Sequence, residues 1–237
     1  MNIRKKILTR CGVLLTAVLV LAPTALAAEA EIPYIPQTVP AAQLAPADQR
    51  GKEDWQLLLV NPWHTVPEGY EIKLATLSNG LQVDERIYDD LDDMLSDCRE
   101  AGLNPIVCSA YRTEATQTRL YRNKVARVRA SGVPEDRVEA EAARWVAKPG
   151  TSEHQTGLAL DIVAAGYQIL DEEQEDTAEQ KWLMENSWKY GFILRYPSEK
   201  SDITGIGYEP WHYRYVGKAA AADIYRTGVC LEEYLSQ

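Results

Sequence analysis

The sequence predicts an α+β fold with a small, mainly antiparallel sheet. Strand-like and helix-like segments alternate without the regular βαβ repeat that a parallel sheet requires. The strand candidates are short, and roughly 185 residues after about Lys52 show no internal repeat, a length that suits one domain. "DWQLLLV" at 54–60 reads as a strand closed by Asn61-Pro62. Over 84–101, Ile87, Leu91, Leu95 and Cys98 fall on one helical face, and Gly102 follows as a C-terminal cap. "PIVCS" at 105–109 is the next strand, with helices over 113–130 and 135–147. "LALDIV" at 158–163 is a strand, and Thr177 and Gln180 have the spacing of a capping box opening a helix that runs to Tyr190. "FILR" and "HYRYV" supply two more strands before a helix from Lys218.

What precedes this domain is different in kind. Arg4, Lys5, Lys6 and Arg10 lead into the apolar run "CGVLLTAVLVLA", which Pro23 ends, and "ALA" at 25–27 offers a cleavage site. Residues 1–27 therefore read as a signal peptide. The alternative is an uncleaved N-terminal membrane anchor, since the run extended to Ala28 reaches the lower edge of a spanning helix. Residues 28–51, with Pro33, Pro36, Pro40 and Pro46 among many alanines, read as a Pro/Ala-rich linker, and 52–237 as the folded domain. Either way the domain is expected to be extracytoplasmic, touching a membrane only through a retained N-terminal segment.

Charge narrows the partners. The chain has 25 Lys+Arg and 35 Asp+Glu; without the four basic residues of 1–27 the remainder stands at 21 against 35, a net charge of −14. That excludes nucleic acid as an expected partner. The run "DEEQED" at 171–176 reads as a solvated loop. Cys98, Cys108 and Cys230 are an odd number without C-x-x-C spacing, so no disulfide framework is expected, and spacing does not choose a pair.

One residue resists this bland reading. Asp161 sits inside the apolar run "LALDIV", where a carboxylate needs compensation. His154 lies seven residues before it in a Gly-flanked loop. In "GYEPWHYRYVG" at 207–217, Glu209 and His212 are three apart. Two imidazoles and one carboxylate suit Zn²⁺ with a position open for water, and Glu209 is placed to take a proton from that water. Each residue has an ordinary alternative: a loop histidine, an Asp–Arg pair, a histidine at a strand edge. Two of the chain's three histidines lying beside suitably spaced carboxylates favours the metal. His64 fits no ligand pattern and is expected in a turn or at the surface.

These segments resemble a known family. "SEHQTGLALD" resembles the S-x-H-x-x-G-x-A-x-D motif of the VanY-type D-alanyl-D-alanine carboxypeptidases, zinc metallopeptidases of the LAS superfamily. "EPWHYRYVG" is similar to their E-x-W-H-x-R-Y-V-G motif, "SAYRTEATQ" at 109–117 to S-x-Y-R-[ST]-x-x-x-Q, and "LLLVNPW" to the strand that opens their domain. The resemblance implies an antiparallel sheet with helices packed around a zinc cleft, Zn²⁺ held by His154, Asp161 and His212, and Glu209 as catalytic base. It implies that Arg112 steadies the carbonyl oxygen as it becomes an oxyanion, and that Ser152 and Gln117 lie near the substrate's terminal carboxylate. The activity implied is hydrolysis of the terminal D-Ala from peptidoglycan stem peptides by a zinc metallo-carboxypeptidase, expected as a monomer, secreted or membrane-anchored at the cell wall. The rival readings are an L,D-carboxypeptidase acting on tetrapeptide stems, a phage-type endopeptidase, and a catalytically silent wall-binding module on the same scaffold.

Overall fold

The computed structural model describes residues 55–236. The expected signal peptide (1–27) and linker (28–51) lie outside the described residues. Two antiparallel sheets of unequal size organise the chain. The smaller is a ribbon of β1 (Leu74–Thr76) and β2 (Gln82–Asp84). The larger has β3 (Pro105–Ser109), β4 (Ala159–Ala164), β5 (Phe192–Leu194) and β6 (His212–Tyr215), in spatial order β3-β4-β6-β5, every pairing antiparallel. The mixed, mainly antiparallel architecture is the one the sequence predicts.

Strand alternation sorts the main sheet into two faces. Leu160 and Ile162 of β4, and Tyr213 and Tyr215 of β6, belong to the main core. There they join Leu91, Met94 and Leu95 of α1 (Tyr88–Glu100) and Leu183 of α4 (Ala178–Asn186). Asp161, His212 and Arg214 are the alternate residues, so they point to the opposite face. At Asp161 and His212 that face meets the turn before β4 rather than an apolar layer. Two satellite clusters complete the packing. One joins α2 (Glu114–Ala130) to α3 (Glu135–Ala143) through Val128, Val138 and Ala142. The other joins α6 (after the short α5, Ser201–Thr204; α6 is Lys218–Thr227) to α7 (Leu231–Leu235) through Ala221, Ile224 and Leu231. No helix among the described residues is long and apolar enough to cross a membrane.

Local chemistry sets the ends of elements. Thr113 caps α2, its hydroxyl accepting from Thr116 N at 3.2 Å. Thr177 caps α4 in the same way through Gln180 N at 3.2 Å. Only half of the expected capping box forms, however. Gln180 turns inward, donating to the Ile162 carbonyl at 2.5 Å and accepting from the Tyr213 hydroxyl at 2.9 Å. The sheet uses this side chain to satisfy buried groups that water cannot reach.

The strand expected over 54–60 is not formed among its described residues, 55–60. Trp55–Leu57 is a 3₁₀ turn, and the carbonyls of Gln56 and Leu58 accept from Arg214 Nη2 at 3.0 and 2.7 Å. A guanidinium takes the acceptors that a neighbouring strand would have used. The helix expected over 135–147 ends at Ala143, where the N–H groups of Trp145 and Val146 both turn back to the Ala142 carbonyl. The ribbon β1–β2 and α7 were not anticipated. Cys98, Cys108 and Cys230 are all free thiols.

Gly157 joins the site loop to the ribbon. Its φ is +72°, its carbonyl accepts from Asp84 N at 3.0 Å, and a Cβ there would lie 2.9 Å from that nitrogen and against the Ile72 side chain. Gly157→Ala should therefore destabilise the domain by about 1–3 kcal/mol, read from urea unfolding. An unchanged midpoint would show that this junction does not constrain the loop.

Candidate active site

Register brings the first two predicted ligands together. Asp161 of β4 is paired directly with His212 of β6. Opposed residues of an antiparallel pair carry their side chains about 4.5–5.5 Å apart at Cβ. The third, His154, comes from the 3₁₀ turn Glu153–Thr156 just before β4, and its ring meets that of His212 edge-on at 4.9 Å. The turn is tied to the end of β3 by Arg112 N, which donates to the His154 carbonyl at 3.0 Å. Asp161 Oδ1 lies 3.3 Å from His154 Nε2 and 3.1 Å from His212 Nδ1. All three side chains are buried.

The protons show what this cluster lacks. His154 Nδ1 donates to the Ala110 carbonyl at 2.8 Å, so in the neutral ring Nε2 carries a bare lone pair. That atom is buried without a hydrogen-bond partner, although Asp161 Oδ1 is close by. Burial, helped by the Arg112 charge, lowers the pKa of His154 to about 4, so the ring is neutral at pH 7. Two acceptors face each other, and a cation between them resolves the conflict. His212 has its Nε2 3.4 Å from Glu153 Oε2, which leaves Nδ1 turned to Asp161. Burial opposes charge on this ring, yet its bonds to Asp161 and Glu153 raise the pKa to about 9. A metal at Nδ1 would displace that proton.

The residues fit zinc on geometry as well as on chemistry. The three ligand atoms lie within 4.8 Å of one another. A tetrahedral ion about 2.0–2.1 Å from each ligand holds its ligands roughly 3.3 Å apart, close to the two separations involving Asp161.

Charged neighbours hold the ligands in place. Asp161 Oδ2 accepts from Arg112 Nη2 at 3.1 Å, so this carboxylate has an arginine partner and one oxygen left for the histidines. Burial alone would raise its pKa, but the two histidines and Arg112 keep it well below the usual carboxylate range. Glu153 was not singled out by sequence reasoning. Its carboxylate is fully buried and accepts from Arg195 Nε at 2.7 Å and Arg214 Nη1 at 2.8 Å. Those two guanidiniums overcome the penalty of burial and keep it ionised. Arg195 also makes two bonds to Glu232 of α7, at 2.9 and 2.7 Å. The signal in the sequence was arginine at the end of "FILR" and within "HYRYV", charges in apolar strands like Asp161 itself.

The cluster opens into a cavity of about 840 Å³ that Arg112, Gln117, Ser152, Tyr196, Glu209 and Trp211 help to line. Glu209 Oε2 lies 3.7 Å from His212 Nδ1. Burial lifts its pKa to about 8, into the range where a carboxylate exchanges protons near neutrality. Gln117 is buried. Its carbonyl oxygen accepts from Arg112 Nη1 at 3.1 Å, and its amide donates to the Ala147 carbonyl at 2.7 Å. Ser109 Oγ accepts from Arg112 Nε at 3.0 Å. Arg112 is thus held on three sides. His64 lies outside this group, exposed in a turn closed by the buried Asn61.

Known proteins share this arrangement of chain. The family model described as "VanY: D-alanyl-D-alanine carboxypeptidase" matches residues 80–218. A D-alanyl-D-alanine carboxypeptidase of Enterococcus faecalis is 48% identical over 194 residues, spanning 81% of this chain and 70% of that protein. VanYB in complex with D-alanine-D-alanine is 48% identical with a TM-score of 0.72, covering 77% of this chain and 98% of that one. A mutant of the D,D-pentapeptidase VanY from a VanB-type vancomycin resistance cassette, solved with Zn(II), is 48% identical with a TM-score of 0.70, covering 76% and 99%.

Two outcomes follow from the ligand geometry. His154→Ala should abolish stoichiometric zinc binding, measured on purified protein by metal analysis; equal zinc in both proteins would contradict the ligand assignment. Glu153→Gln should weaken zinc affinity roughly 10–100-fold, the usual effect of losing a partner that orients a ligand. Competition with a chromophoric chelator reads this, and an unchanged dissociation constant would remove Glu153 from any role at the metal.

Proposed function

Because the chain belongs to the VanY family of D-alanyl-D-alanine carboxypeptidases, we propose that it is a zinc-dependent D,D-carboxypeptidase that releases the terminal D-alanine of peptidoglycan stem peptides. The observation that carries this reading is the buried, partnerless Nε2 of His154 facing Asp161 Oδ1, with Glu209 beside them on the cavity wall. His154 Nε2, Asp161 Oδ1 and His212 Nδ1 would hold the zinc. When bound, zinc lowers the pKa of a water toward about 7 and polarises the scissile carbonyl.

The chain's own residues supply the remainder. Glu209 takes a proton from the attacking water and returns it to the departing amine of D-alanine. With a cation held by the neighbouring ligands, Glu209 would regain the ionised carboxylate that burial disfavours, which suits it to the role of base. Arg112 is fixed by Ser109, Gln117 and Asp161, so its remaining N–H groups are oriented before substrate arrives. They stabilise the negative charge that develops on the carbonyl oxygen. Ser152 is buried on the cavity wall and offers a hydroxyl to the terminal carboxylate, as does the second amide N–H of Gln117. A site with such donors disfavours a substrate that lacks the carboxylate, which supports carboxypeptidase over endopeptidase action. No serine or cysteine nucleophile is needed. The basic and apolar start of the chain supports action outside the cytoplasmic membrane, by a monomer that is secreted or anchored at the cell wall.

Glu209→Ala should keep its zinc and lose roughly 10²- to 10⁴-fold in turnover, the usual contribution of a positioned general base. Near wild-type hydrolysis would refute that role, and loss of zinc would move Glu209 among the ligands. Mass spectrometry of pentapeptide and tetrapeptide stems, assayed side by side, should show D-alanine released from the pentapeptide. Release from the tetrapeptide alone would make the enzyme an L,D-carboxypeptidase.

A further inference from the structure

The cleft is longer than its metal end requires. Gln117, Leu120, Lys124 and Arg127 all line it, at positions i, i+3, i+7 and i+10 of α2, which is one face of that helix. At 1.5 Å per residue, Lys124 lies about 10 Å and Arg127 about 15 Å along the axis from Gln117. Gln117 marks the metal end, because it braces Arg112 against Asp161. An extended peptide advances about 3.3–3.6 Å per residue, so the two cations stand about three and four residues from that end. A carboxypeptidase has a single residue on the leaving-group side. The long arm therefore holds the acyl side of the substrate.

Among the described residues, neither Lys124 nor Arg127 forms an ion pair, in a chain with 35 acidic side chains. The Lys124 ammonium sits over the Trp145 ring at 5.3 Å, and Trp145 also lines the cleft. Burial and then the neighbouring Arg127 charge lower the pKa of Lys124, while Glu141 and Glu209 act weakly in the other direction. Like charges on one helix face repel unless something negative lies between them. None of the acidic residues that line the cleft forms an ion pair with either cation: Glu153 and Asp161 are paired with Arg195 and Arg112, Glu209 lies beside His212, and Asp171 and Glu173 accept from the Tyr167 hydroxyl.

We propose that the α2 arm is an anion subsite for the acyl side of the substrate, in which Lys124 and Arg127 take a free carboxylate about three to four residues upstream of the scissile bond. This rests on the carboxypeptidase reading above and adds a determinant of which stem peptides the enzyme prefers. A carboxylate there would enter charge-assisted hydrogen bonds with Lys124, which sits over Trp145, and with the exposed Arg127 on the same helix face.

The test uses two acetyl-capped pentapeptides ending in D-Ala-D-Ala, with glutamate or glutamine as second residue, the third residue upstream of the scissile bond. The wild-type protein should favour the glutamate peptide in kcat/KM on the order of tenfold, the range of a charged hydrogen bond. In the Lys124→Met/Arg127→Met double variant that ratio should fall to near one. No preference in the wild type, or the same preference in both proteins, would overturn the subsite while D-alanine release upheld the enzyme assignment. Hydrolysis of neither peptide by the wild type would count against the carboxypeptidase reading and the subsite together.

Discussion

The site depends on one buried carboxylate at the centre of the sheet. Asp161 faces His212 across the β4–β6 pair, and its two oxygens are divided between opposite duties. Oδ2 takes the Arg112 guanidinium, and Oδ1 meets two ring nitrogens. An ionised group in such a place is tolerated only when charge and hydrogen bonds surround it. The order of the neighbouring residues follows from that requirement. Around Asp161 and His212 this face of the sheet cannot be covered by an apolar layer, so it becomes the wall of a polar cleft.

Charges of alternating sign extend from this point through the interior. Glu153 lies behind His212 and is held by Arg195 and Arg214; Arg195 continues to Glu232, and Glu232 accepts from Asn61. Arg214 continues to the backbone at Gln56 and Leu58. The orientation of one metal-facing imidazole is thereby connected to both ends of the described chain. Buried networks of this kind are strong when every member is satisfied and costly when one is removed. The fixed Glu153 carboxylate also selects the His212 tautomer, leaving Nδ1 for the metal.

Much of the site was legible in the sequence because its residues break local rules. Asp161 interrupts an apolar strand, His154 stands seven residues before it, and Glu209 and His212 are close enough to read as one unit. The α+β class followed from short strands in irregular alternation. What escaped were long-range pairings between residues that look ordinary alone. Glu153 meets Arg195 and Arg214 across 42 and 61 residues, and no spacing reveals such a match. The segment 54–60 looked like a strand from its apolar composition, but Arg214 bonds the carbonyls of Gln56 and Leu58. The ribbon β1–β2 has three residues per strand, too few to show a period of two. Gln180 has the spacing of a helix cap, yet the polar needs of the sheet draw its side chain inward.

The central claim is that His154, Asp161 and His212 form a zinc site with Glu209 beside it and outside the ligand set. Anomalous X-ray diffraction at the zinc absorption edge, on crystals grown with zinc, tests it most directly. One strong peak bonded to His154 Nε2, Asp161 Oδ1 and His212 Nδ1, with the Glu209 carboxylate beyond bonding distance, is the predicted result. A peak bonded to Glu209 or Glu153, His212 ligating through Nε2, or no peak at this cluster would contradict it.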